Sequence, residues 1–143
     1  MAFALRMNLV DAISDHSLKN TYINGKKSGY QFEVRLNYYR GHYLSDIEEF
    51  EVTVDGLKVK EQDIKFCINE KEFDVCQLGE CYTEFWTVLE PATVRVYKKG
   101  GLSAGEHKID FKVIFRSPYM PIGPDHQYMC YDGSGIKTLP VLD

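Results

Sequence analysis

Phe50-Glu51-Val52-Thr53-Val54-Asp55-Gly56-Leu57-Lys58-Val59 decides the fold class. Phe50, Val52 and Val54 alternate with Glu49, Glu51 and Thr53, the period of a strand with one buried face. A two-residue Asp-Gly loop takes positive φ at both positions, which matches strand twist in a type I′ hairpin. The spacing therefore predicts Val54 opposite Leu57 and Val52 opposite Val59, all on one face.

The same alternation recurs on both sides. Phe32, Val34, Leu36 and Tyr38 share a face, preceded by Asn24–Gly29, which reads as a turn back to Leu18–Ile23. Ile64, Phe66 and Ile68 alternate, and Phe73 and Val75 return after a short turn. Val94 and Val96 point inward from Ala92–Lys98, and Ile109, Phe111, Val113 and Phe115 make the longest clean strand. No stretch holds a 3.6-residue apolar period over three turns, so only short helical turns are expected, near Asn8–Ser14 or Lys60–Asp63. Many short strands with Gly and Asp turns predict an all-β fold: an antiparallel, jelly-roll-like β-sandwich forming one domain over residues 1–143.

Composition agrees. With 143 residues, 44% of them hydrophobic, the chain can bury a core without a disulfide or metal staple. Acidic and basic residues are interspersed, the net charge is −4, and no basic stripe is available for phosphates, so nucleic acid is not an expected partner. No apolar run reaches membrane-spanning length, and the start, broken by Arg6 and Asn8, has no signal-peptide pattern. Cys67, Cys76, Cys81 and Cys130 have irregular spacing without C-x-x-C, as expected of reduced thiols in a cytoplasmic protein.

After Arg116 the pattern changes. Residues 118–143 hold four of the five prolines and lack strand alternation, yet carry Tyr119, Met120, Tyr128, Met129 and Tyr131. Such a segment is expected to be an irregular Pro/aromatic arm ordered by contact, either strapped over its own sandwich or docked on a partner. If docked, cutting after Arg116 should leave the sandwich folded.

Candidate chemistry is sparse. His16, His42, His107 and His126 lie far apart, Cys76 and Cys81 lack a second pair for zinc, and no Gly-x-Ser-x-Gly is present. Lys99–Gly105 is glycine-rich but lacks Gly-Lys-Ser/Thr, so a hairpin connection explains it better than phosphate binding. Paired carboxylates such as Glu48-Glu49 read as solvated faces. Trp86 could stack on a sugar, although core packing is the more common fate of a tryptophan. No catalytic or metal-binding residue is assigned to the chain. A free-standing carbohydrate-binding sandwich and a small metal-dependent sandwich enzyme are the competing classes.

The tail Ser117-Pro118-Tyr119-Met120-Pro121-Ile122-Gly123-Pro124-Asp125-His126-Gln127-Tyr128-Met129-Cys130-Tyr131-Asp132-Gly133-Ser134-Gly135-Ile136-Lys137-Thr138-Leu139 resembles the ending of the small (β) subunits of bacterial C-glycoside deglycosidases. Phe50–Val59, Leu89-Glu90-Pro91-Ala92-Thr93-Val94 and Gly100–His107 strengthen the resemblance, in the expected order. It implies a lyase complex that cleaves the carbon–carbon bond between a flavonoid-type aglycone and a 3-keto sugar. Its large (α) subunit would be a TIM barrel holding a divalent metal, commonly manganese. This chain would then carry no cofactor and meet the C-glycoside only through the complex. Tyr119, Met120, His126, Tyr128, Met129 and Tyr131 are the residues expected at or very near the interface with that subunit.

Overall fold

A computed structural model of the chain describes residues 4–5, 11–37, 41–122 and 127–142, those at 4–5, 117–122 and 127–129 as backbone. Three two-residue turns organise the hairpins. Asp55 and Gly56 (φ 52° and 82°) join β5 (Ile47–Val54) to β6 (Leu57–Lys58), with Val54 paired to Leu57. Val59 N–H bonds Val52 C=O at 2.8 Å, as the spacing predicts. Leu57 itself is 74% exposed, because β6 is only two residues long and its tip overhangs the sheet. Asn24 and Gly25 join β2 (Lys19–Ile23) to β3 (Lys26–Val34). That turn is tighter than the six residues expected, and Lys26–Gly29 already lie in the strand. Asn69 and Glu70, both at positive φ, join β7 (Ile64–Ile68) to β8 (Lys71–Asp74).

With β10 (Ala92–Tyr97), the second and third hairpins build one sheet in the order β2-β3-β10-β7-β8, while β5 and β6 belong to the other. The facing sheet is assembled on β11 (Glu106–Ile122), which pairs antiparallel with β5 on one edge. Its other edge takes β13 (Gly135–Pro140) along Glu106–Phe111 and β12 (Gln127–Asp132) beyond it. A short β1 (Ala4–Leu5) runs parallel to β12. The Lys98–Gly105 connection passes from β10 in one sheet to β11 in the other, so it is a crossover and not a hairpin. The helical content described consists of 3₁₀ segments at Leu44–Asp46, Glu61–Asp63 and Val75–Glu80. This is an all-β sandwich.

The core lies between the sheets. Phe32, Phe66, Val94 and Val96 from one face meet Phe50, Val52, Phe111 and Val113 from the other. Edge-to-face contacts bridge the layers, Phe50 on Phe66 at 5.6 Å and Phe32 on Phe111 at 6.3 Å, the geometry aromatic quadrupoles prefer.

The segment after Arg116 departs from expectation. Its described residues are mostly strand: β11 continues to Ile122, and β12 and β13 return along it. Pro118 falls in a register shift between Arg116 and Pro121, where a missing N–H breaks no regular ladder position. Between β12 and β13 the Ser134 hydroxyl accepts from Val113 N–H at 3.1 Å, filling a gap in the ladder. Alternation is invisible in the sequence here because a bulge and a two-residue interruption each reset it.

Candidate partner interface

β5 leaves β11 at the Phe115–Ile47 pair. Beyond it, among the described residues, β11 pairs only with β12, through Arg116–Cys130, Pro121–Tyr128 and Ile122–Gln127. The expected arm is therefore a two-stranded ribbon continuing off the sandwich. Tyr119 and Met120 lie on β11, Tyr128 and Met129 on β12, and His126 falls outside the described residues. β1 covers the edge of β12 at Cys130 and Tyr131. Farther out, among the described residues, neither ribbon edge carries another strand, and such edges offer backbone N–H and C=O groups to another chain.

Tyr131 is different from its neighbours. It is fully buried, and its hydroxyl donates to Asn37 Oδ1. Around it, His42 stacks on Phe115 (4.6 Å, 18° between planes), and Trp86 packs on Phe115 at 6.1 Å. His42 is 1% exposed, its Nδ1 3.6 Å from Asp46. This cluster is the root of the ribbon, so Tyr131 can serve an interface only by holding the arm from beneath. Nothing in the sequence marks Asn37 or His42 as interior. Strand alternation puts Asn37 on the outward face with Glu33 and Arg35, and His42 reads as a loop histidine. Tyr131 of β12 and Phe115 of β11 bury them instead.

Trp86 is also fully buried and offers no sugar-stacking face; it is a core residue. Its indole N–H donates to Glu90 C=O at 3.0 Å.

His107 sits at the opposite end, 8% exposed. Nδ1 lies 2.6 Å from Asp55 Oδ2 and Nε2 lies 2.7 Å from Ser103 C=O. Two acceptors around one ring favour the imidazolium, and the Asp55 carboxylate foremost raises the His107 pKa while Asp55 is lowered in turn. Asp55 also accepts from Lys108 N–H at 2.9 Å, so one hairpin-turn residue pins the crossover loop to β11. In the sequence Asp55 reads only as a turn former.

His16 is exposed at a left-handed position, remote in the sequence from the other two histidines described. Among the described residues no three of His, Cys, Asp and Glu are placed to hold a metal. The four thiols are free, and burial pushes the Cys67 and Cys81 pKa values up, away from the reactive thiolate.

A family model for the C-glycoside deglycosidase beta subunit matches residues 10–119. The chain belongs to this family. It is 32% identical over 133 residues to a C-glycoside deglycosidase beta subunit of Eubacterium cellulosolvens, covering 89% of each chain. It is 35% identical over 96 residues to a 3'-dehydrocarminate deglycosidase beta subunit of a Microbacterium species, covering 67% of this chain and 72% of the relative. A C-glycoside deglycosidase beta subunit of Arthrobacter globiformis is 30% identical over 112 residues, 77% of this chain and 81% of the relative. The match to the family model ends within β11, so it spans most of the sandwich and stops where the ribbon has begun.

Proposed function

We propose that the chain is the small, non-catalytic subunit of a C-glycoside deglycosidase complex, bound through its ribbon to a metal-dependent TIM-barrel large subunit in the cytoplasm. Family membership carries the reading. The ribbon supports it, because Tyr119, Met120, Tyr128 and Met129 lie where β11 and β12 continue past the end of β5, with Tyr131 as the buried root. Aromatic and Met side chains are enriched at interface cores.

The complex would act on a C-glycoside already oxidised at C3 of the sugar. The name of the Microbacterium relative carries a 3'-dehydro substrate, in keeping with this. A 3-keto group acidifies the hydrogen at C2. A base removes that proton, the electron pair forms a C1–C2 double bond, and the aglycone carbon departs, taking up a proton. A divalent metal, manganese in our proposal, would stabilise the enediolate and belongs with the base to the large subunit.

Reconstitution tests this. Turnover of a 3-keto C-glycoside is expected from the mixed subunits, with bound metal tracking the large one. Turnover by this chain alone, or full activity of the large subunit without it, would overturn the reading. The ribbon has its own test. Replacing Pro118–Tyr128 by Asn-Gly keeps the Arg116–Cys130 register and lets a two-residue turn close Ser117 onto Met129. This variant should melt like the parent and lose the large subunit; unchanged binding places the interface elsewhere.

A further inference from the structure

The ribbon is not the only feature at this end of the molecule that a partner could meet. β4 (His42–Tyr43) pairs with β9 (Phe85–Trp86) in register His42–Trp86 and Tyr43–Phe85. His42 and Trp86 are buried, which turns Tyr43 and Phe85 outward, their rings 4.8 Å apart. Tyr43 is 46% exposed, Tyr82 71% and Leu89 89%, with Val88 half-exposed beside it.

Val88 and Leu89 occupy the corners of a turn closed by Glu90 N–H to Thr87 C=O at 3.4 Å. Turn corners ordinarily take Gly, Pro, Asn, Asp or Ser, each for a local backbone reason. Val and Leu have no such reason here. The turn is braced from inside by the Trp86 indole on Glu90 C=O, so the exposed Leu89 is held on a rigid support.

Charge identifies what fits. Residues 41–50 and 75–94, which build this face, contain six Asp and Glu and no Lys or Arg. Glu48 pairs with Arg116 at 3.2 Å, which joins the face to the root of the ribbon, while exposed Glu80 and Glu90 have no cationic partner among the described residues. Two copies of this face would set acid against acid, which argues against self-association.

Resting on the subunit reading, we propose that the Tyr43–Phe85–Leu89 surface is a second docking face for the large subunit, with Leu89 seated in an apolar pocket rimmed by basic side chains. Together with the ribbon it grips the partner at two places around the His42–Tyr131 root. A rigid, pre-ordered anchor loses little freedom on binding, which favours a hot spot over a neutral contact.

The test is titration of the purified large subunit with the full-length chain and its Leu89→Ser and Tyr82→Ser variants. Both side chains are exposed, so melting and Trp86 emission should not change, whereas Kd should rise roughly tenfold or more in each variant. In the parent complex, backbone amides of 82–90 should gain protection from hydrogen exchange, and this decides the matter should a variant melt early. Absence of binding by the parent would refute the subunit reading itself. Parent binding with unchanged variant affinities, or no protection at 82–90, would overturn this face and leave that reading standing. A change only in self-association would also overturn it.

Discussion

Cutting the chain after Arg116 removes β12 and β13, and the consequence can be worked out. Tyr131 (0% exposed) and Leu139 (3%) leave the core. Deleting buried side chains of this size costs about 3–5 kcal/mol for the aromatic and about 2–5 kcal/mol for the leucine. β11 loses its whole second edge, from Glu106–Phe111 and from Ile114 onward. The cut also removes Leu142, whose backbone bonds Leu18 and Asn20 at 2.9 and 3.2 Å and ties the C-terminus to the other sheet. A chain of this length has a total stability of roughly 7–21 kcal/mol. The two side chains alone offset roughly 5–10 kcal/mol of it before any backbone pairing is counted. The truncated chain should therefore lose its cooperative urea transition and its near-UV circular dichroism at 25 °C. The expectation that 118–143 is dispensable for folding thus gives way to the opposite one. A cooperative transition with a midpoint near that of the intact chain would refute the reasoning.

The His107–Asp55 pair should make stability depend on pH in a defined direction. His107 is raised above its ordinary value near 6.5, so its contribution is complete below that value and is lost as pH climbs through the raised pKa. Asp55 is lowered from about 3.8, so its contribution is present above that value and is lost only as pH falls through the lowered pKa. With the Asp55 side chain 46% exposed, the pair is worth about 1 kcal/mol after screening. Melting temperature should therefore drop by roughly 4 °C on the alkaline side, and His107→Gln should flatten that limb; a variant with the parent's slope there would count against the pair. Gly101→Ala should destabilise by about 1–3 kcal/mol, read from urea unfolding, since Gly101 has φ 60° and a Cβ would sit 2.5 Å from Asn20 Oδ1. That oxygen is fixed by Leu102 N–H at 2.8 Å and cannot withdraw cheaply, so an unchanged midpoint would mean the loop repacks.

What the sequence by itself determined is the sandwich. Strand period, Asp55-Gly56 and Asn24-Gly25 are local signals, because alternation and positive φ depend on neighbouring residues in the chain, and a strand with one apolar face has few places to go. Phe50, Val52, Phe111 and Val113 could be assigned to the core on those grounds alone. The tail could not be read in this way. Pro118, Pro121 and Gly133 erase the alternation, and whether such a segment is a strand depends on finding the free edge of β11 far away in the sequence. Long-range pairing likewise decided that Tyr131, His42 and Asn37 would be buried together and that Asp55 would meet His107 from 52 residues away. It also decided that Tyr43 and Phe85 would share an outer face. Such meetings are set by which edges remain unpaired once the local hairpins have formed, and no window along the chain contains that information.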